Sequence, residues 1–152
     1  MADSKVSALP ALSAPPARND LLYLVDVSQA VPADRSVQIT IENAIGQRTN
    51  TVTSSATPSI NTDATDIFTI TALATAITSM TSGLSGTPVN GQKLIVRILD
   101  NGTARAITWG ASFVNRGGTL PTTTTASKYS YVGLIYNSTA AVWDCVVAIV
   151  EA

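Results

Sequence analysis

Apolar residues recur at every second position along much of this chain, and seldom with the 3.6-residue spacing of a helix. Residues 35–41 (RSVQITI) put Val37, Ile39 and Ile41 on one face of a strand. Residues 21–27 (LLYLVDV) form a short apolar run consistent with a strand, broken after it by Pro32 and Asp34. Residues 67–70, 92–99 (QKLIVRIL), 104–109 (ARAITW), 128–136 (KYSYVGLIY) and 142–150 (VWDCVVAIV) read as strands too, with a short extended piece at 113–115. Asn101-Gly102 lies between two β-rich runs and predicts a tight hairpin, because a type I′ turn needs positive φ at both central residues. Residues 137–140 (NSTA) predict a second hairpin joining 128–136 to 142–150. Gly and Pro make 81–91 a loop, and Pro121 makes 120–125 (LPTTTT) a surface loop rather than a central strand.

Three segments stay open. Residues 42–47 (ENAIGQ) fit one helical turn closed by Gly46. Residues 71–80 (TALATAITSM) fit a helical face at Leu73, Ile77 and Met80, and a strand at Ala72, Ala74 and Ala76, with threonine density favouring the strand. Residues 48–65 fit either a linker or an edge strand with loops. Short strands with turns every eight to twelve residues give an all-β expectation: an antiparallel β-sandwich, jelly-roll-like.

The first twenty residues break the pattern. They carry Pro10, Pro15 and Pro16 among small Ala and Ser residues, with neither period. Proline fixes φ and removes a backbone donor, so this stretch is expected to be a stiff, extended arm. Its spaced apolar residues Val6, Leu9 and Leu12 gain burial only from another surface. The expected organisation is an arm at 1–20, strands and linker at 21–60, and the β-domain at 61–152.

Composition narrows the function classes. Net charge is −1, so no basic field exists to hold nucleic acid by counterion release. Charged residues make up 12% of the chain, against about a quarter in ordinary soluble domains. Such a surface is either built from Thr, Ser and Asn or covered by neighbouring subunits. No run approaches eighteen apolar residues, so no helical membrane span is expected, and residues 1–20 lack the apolar stretch of a secretory signal. The single cysteine, Cys145, excludes an intrachain disulfide and sits in an apolar run as a small buried hydrophobe.

Candidate chemistry is sparse. There is no histidine, which removes the usual general base and the commonest metal ligand. Asp63, Asp66, Asp100 and Asp144 could pair for glycoside hydrolysis, but Asp100 opens a turn and the others sit in polar segments, which favours structural or solvated roles. Asn61, Asp63 and Asp66 lack the density and glycine placement of a calcium loop. Trp109, Trp143, Tyr129, Tyr131 and Tyr136 could stack on sugars, yet core or interface packing is the commoner use of aromatics on strands. Asn101-Gly102-Thr103 and Asn137-Ser138-Thr139 match glycosylation sequons and read here as turn residues. No catalytic, cofactor-binding or metal residue is assigned, and no enzymatic activity is expected.

A resemblance adds to this. GTPVNGQKL at 86–94, ILDNGTARAITW at 98–109 and the ending from Tyr136-Asn137 to Trp143-Asp144 resemble a module of tailed-bacteriophage virion structural proteins. SKVSALP at 4–10 followed by Asp20-Leu21-Leu22 is similar to the start of phage fibre and head-decoration chains. The resemblance implies a jelly-roll-like fold that associates as a trimer, on heads or on tails. Taken as a whole protein, a chain without the repeats of a fibre shaft suits a capsid decoration (cement) protein. The expected partners are the major capsid protein and copies of the chain itself. The expected location is the outer capsid surface, after synthesis in the bacterial cytoplasm. The expected capsid-binding residues are Val6, Leu9, Pro10, Leu12, Pro15, Pro16, Leu21 and Leu22. The alternative is a tail fibre or receptor-binding module that recognises host surface glycans through the loops at 81–91 and 120–125.

Overall fold

A computed structural model describes residues 21–25 and 36–40 as backbone and residues 46–152 in full. The chain divides into two units, Met1–Gly46 and Gln47–Ala152. In the first, β1 (Leu21–Val25) and β2 (Ser36–Thr40) pair antiparallel, with Leu21 opposite Thr40 and Val25 opposite Ser36. The extended arm expected at 1–20, the break at Pro32 and Asp34, and most of the helical turn expected at 42–47 lie outside the described residues.

The second unit is all-β, with no helix among the described residues. None is therefore long and apolar enough to cross a membrane. Its strands are β3 (Thr49–Val52), β4 (Ile60–Asn61), β5 (Ile67–Leu73), β6 (Leu84–Ser85), β7 (Lys93–Asp100), β8 (Phe113–Asn115), β9 (Ser130–Asn137) and β10 (Val142–Val150). The unit begins at Gln47, earlier than the expected Asn61, because β3 is an edge strand of the main sheet and not part of a linker.

The chain coils as it builds this unit. β3, β5 and β7 stack in parallel on one face, and β4 and β6 stack in parallel on another. A third stack runs through loop backbone. The Ala56 carbonyl accepts the Thr78 N–H at 2.8 Å, and Ile77 and Thr108 exchange bonds with the next pass through Ala106 and Ile77 carbonyls at 2.9 Å. The arrangement is solenoid-like, each pass contributing inward side chains to one core: Ile60, then Phe68, Ile70, Ile77 and Met80, then Leu94, Val96, Ile98, Ile107 and Trp109. After the third pass the coiling stops. The β9–β10 hairpin adds antiparallel to the open edge of β7, and β8 lies parallel on β10, giving a six-stranded sheet in the order β3-β5-β7-β9-β10-β8.

This corrects the expected antiparallel, jelly-roll-like sandwich. Three of the five pairings in the main sheet are parallel, two antiparallel. The connections β3–β5 and β5–β7 are long enough to return the chain to its starting end, which a parallel pair requires. The hairpin expected across Asn101-Gly102 is also absent. Both edges of β7 are already taken, by β5 and β9, so 104–109 turns away and bridges to Ile77 and Thr123 instead. Gly102 still has its positive φ of 94°, in a turn closed by the Asp100 carboxylate rather than by a ladder. Residues 120–125 are more than a surface loop: Leu120 and Thr124 are buried, and Thr122 accepts the Ile107 N–H at 2.8 Å. The strand favoured for 71–80 ends at Leu73.

The second hairpin forms as expected, Val142 opposite Asn137, with a bulge between Cys145 and Val147. The Asn137 side-chain oxygen accepts the N–H groups of Thr139 and Ala140, which fixes the turn. At the bulge the Cys145 carbonyl accepts N–H groups from Arg116, Gly117 and Gly118. A Cβ on Gly118 would stand 2.8 Å from the Val147 backbone and 2.9 Å from Cys145 Sγ, so only glycine lets the two segments approach this closely.

Candidate functional surface

Each carboxylate that could have done chemistry is committed to the fold. Asp66 precedes β5 and receives a two-pronged fork from Arg48: Nε at 2.9 Å and Nη2 at 2.6 Å, with the Arg48 backbone N–H also at 2.9 Å. The hydrogen bond from the Arg48 side chain, more than the opposing burial, holds the Asp66 carboxyl below its ordinary range, and reciprocally raises Arg48. Asp63 faces elsewhere, accepting the Thr87 N–H at 2.7 Å, while its backbone carbonyl takes Arg48 Nη1. Asn61 accepts the Asp63 N–H at 3.0 Å. The three oxygens considered for calcium therefore serve three separate partners. Asp144 on β10 meets Arg116 Nε at 3.2 Å and Asn137 Nδ2 at 3.1 Å. No group of three His, Cys, Asp or Glu among the described residues converges as a metal set.

Asp100, at the end of β7, is the buried acid. Its Oδ1 accepts N–H groups from Gly102 at 2.8 Å and Ser127 at 2.9 Å. Burial pushes the carboxyl up, but those two donors, the Thr124 hydroxyl and the Arg105 charge together bring it below its ordinary range. It pins a corner where Ser127 itself holds a positive φ of 59°.

The aromatic side chains divide. Trp109 and Trp143 are buried, and Trp109 Nε1 donates to the Pro121 carbonyl at 2.8 Å. Trp109 packs edge-on against Phe113, and Trp143 against Tyr136 at 5.2 Å. Neither indole presents a face to a sugar. Cys145 is fully buried, and burial pushes its thiol up. Several concavities remain among the described residues, and two of them lie away from the acids. One, of about 160 Å³, lies between Leu84, Ser85, Pro88, Ser112, Tyr136 and Trp143. The other, a shallow groove of about 610 Å³, runs beside Trp109, Phe113, Val114, Leu120 and Thr122. Neither of these two is lined by a carboxylate, a cysteine or a basic group; the concavities that are, of about 470 Å³ beside Arg48, Asp63 and Thr87 and about 320 Å³ beside Asp66 and Lys93, border the ion-paired corner already described.

The most extensive unusual surface is the outer face of the main sheet. Ile95, Ile135, Val147 and Ile149 stand there 37%, 36%, 47% and 60% exposed, with Val146 exposed in the bulge. They form continuous rows: Ile67, Ile95, Gly133 and Val147 at one level, Thr69, Arg97, Tyr131 and Ile149 at the next. These residues were not singled out from the sequence. The signal was present in LIVRIL and VVAIV, where apolar residues occupy both alternations and so must face outward as well as inward. Of the expected capsid-binding residues, Val6, Leu9, Pro10, Leu12, Pro15 and Pro16 lie outside the described residues. Leu21 and Leu22 open β1, opposite Thr40 and Ile39.

The class these features define is an all-β, solenoid-like unit whose acids are structural and whose one broad sheet face is apolar. Comparison of the chain with protein-family profiles, curated proteins and solved structures finds no match.

Proposed function

We propose that this chain is a structural protein of a tailed-phage virion that decorates the outer face of the assembled head as a homo-oligomer, which the resemblance puts at three copies. The reading is carried by the pairing of a proline-studded leader with a β-body whose acids are all engaged in structural contacts. The leader would lie in grooves between capsid subunits and bury Val6, Leu9 and Leu12, with Leu21 and Leu22 continuing the contact. Its prolines lower the entropy lost on docking, since an already restricted chain has less freedom to lose. Several leaders on one oligomer bind together, so modest single-arm affinity becomes long residence, and the capsid is stapled across subunit boundaries.

A tail-borne, glycan-binding role is the second reading, favoured by the groove beside Leu120 and Thr122. Imaging an intact particle that carries the chain separates the two. Density for the β-body on the outer head surface supports decoration; density confined to the tail tip overturns it in favour of receptor binding.

A further inference from the structure

The outer face of the main sheet has a polarity of its own. Its β5–β7 half carries the basic side chains Lys93 and Arg97 beside Ile67 and Ile95. Its β9–β10 half carries Asp144 beside Val147 and Ile149, with Glu151 following directly on β10. Among the described residues neither Lys93 nor Arg97 has an acidic partner; Arg97 spends two N–H groups on the Thr69 hydroxyl, at 2.8 and 3.0 Å. Asp144 is paired with Arg116, and Glu151 accepts the Tyr129 N–H at 3.1 Å, with Lys128 on the Ala152 carbonyl next to it. Gly133 has no side chain, and Val147 leans across it, since a Cβ at Gly133 would stand 2.8 Å from Val147 Cγ1.

We propose that copies of this chain pack on one another through this face, the β5–β7 half of one copy against the β9–β10 half of the next, about an axis running along the strands. Such a rotation keeps each row at its own level. Ile67 and Ile95 then meet Val147 of the neighbouring copy, Thr69 and Arg97 meet Tyr131 and Ile149, and the basic half meets the acidic half. Face-to-face sheets stack about 10 Å apart, close enough for these side chains to interdigitate. Lys93 and Arg97, unpaired among the described residues, favour the half that carries the Asp144 and Glu151 carboxylates over their own counterparts, and the apolar rows supply the contact area. Like halves placed together would set Lys93 and Arg97 against their own counterparts, which disfavours the reversed arrangement. The inference rests on the self-association in the proposed function and not on attachment to a capsid.

The test uses the full chain in two measurements without any capsid, so its failure is distinct from failure of the decoration reading. First, light scattering gives the mass of the parent and of Ile149→Lys, an exposed position whose change leaves the core intact and sets a like charge against Arg97 of the neighbouring copy. The parent is expected to be oligomeric, and the variant to dissociate with a dissociation constant raised at least tenfold, while its circular dichroism is unchanged. Second, Ile67→Cys and Val147→Cys are combined and oxidised. β7 and β9 stand between β5 and β10, so these positions are about 14 Å apart within one copy at ordinary strand spacing, too far for a disulfide. A disulfide there forms only between copies. Covalent dimers or closed trimers support the proposal, and their number reports the order of the axis. A monomeric parent overturns it, as does an oligomer indifferent to Ile149→Lys, or one that gives no 67–147 crosslink. A face covered by residues 1–46 of the same chain would produce the first of these results.

Discussion

Asp100→Ala and Asp100→Asn test how the corner between β7 and β9 is held. The carboxylate is 3% exposed and receives two backbone N–H groups within 2.9 Å. A hydrogen bond to a charged acceptor contributes about 1.5–3 kcal/mol net. Gly102 and Ser127 are themselves exposed, so water re-satisfies part of what alanine removes, and the expected loss for Asp100→Ala is about 2–4 kcal/mol. Asparagine keeps one acceptor oxygen but loses the charge opposite Arg105 and puts an amide where Oδ2 stood, so Asp100→Asn is expected to cost about half as much, roughly 1–2 kcal/mol. Chemical denaturation followed by tryptophan fluorescence reads both, because Trp109 and Trp143 are buried in the same unit. The pH dependence supplies the decisive sign. A carboxyl held below its ordinary value contributes stability that is fully present above about pH 4, the unfolded value, and is lost as pH falls through the folded value. The gap between parent and Asp100→Asn should therefore shrink below pH 4 and stay constant from pH 5 to 7. A gap that is the same at pH 3 and pH 7, or an alanine variant no worse than the asparagine one, refutes the electrostatic account of this corner.

Other outcomes follow from the same contacts. Trp143→Ala removes a fully buried side chain packed on Tyr136 and should cost about 3–5 kcal/mol in the same denaturation assay. Gly118→Val forces a branched side chain into the Val147 backbone and Cys145 Sγ and should destabilise more than Gly91→Val, whose Cβ meets no atom within 4 Å and whose cost is confined to the backbone at its positive φ of 80°. Asp66→Asn breaks a salt bridge whose arginine is 43% exposed, so its effect should stay within about 1 kcal/mol and fade in high salt. The Cys145 thiol, buried and pushed up, should resist alkylation in the folded chain at neutral pH and react at once on unfolding, as mass spectrometry would show.

Local signals in this sequence were legible where the partner strand is also local. Asn137 caps its own turn, and the alternation on either side of it produces β9 and β10 in register. β1 and β2 could be read for the same reason, each from its own apolar run. The Asn101-Gly102 signal was met at Gly102 alone, since Asn101 lacks the positive φ of a type I′ turn, and no two-residue signal reports that β5 and β9 already flank β7. Parallel stacking leaves no local signal because its pairs are far apart in the chain. Ile77 finds Ile107, and Ile60 finds Leu84, through contacts that leave no short-range period. Pro121 excluded a central strand, as it must, yet its carbonyl accepts the Trp109 indole N–H and draws Leu120 and Thr124 inward. The acids were expected to be structural from their turn-like settings, and the fork from Arg48 and the donors on Asp100 give that role its geometry. The apolar sheet face is not marked by any short motif: a run such as LIVRIL signals a strand, and only the sheet order shows that its second face stays uncovered by the described strands.

The most direct measurement of the proposed role is co-sedimentation with DNA-free heads, comparing the full chain with a version lacking residues 1–20. The full chain should pellet with heads at saturable stoichiometry, and the shortened one should stay in the supernatant while keeping its β-sheet spectrum and its oligomeric mass. Equal occupancy by the shortened chain, or no binding by the full one, would contradict a leader-anchored decoration protein.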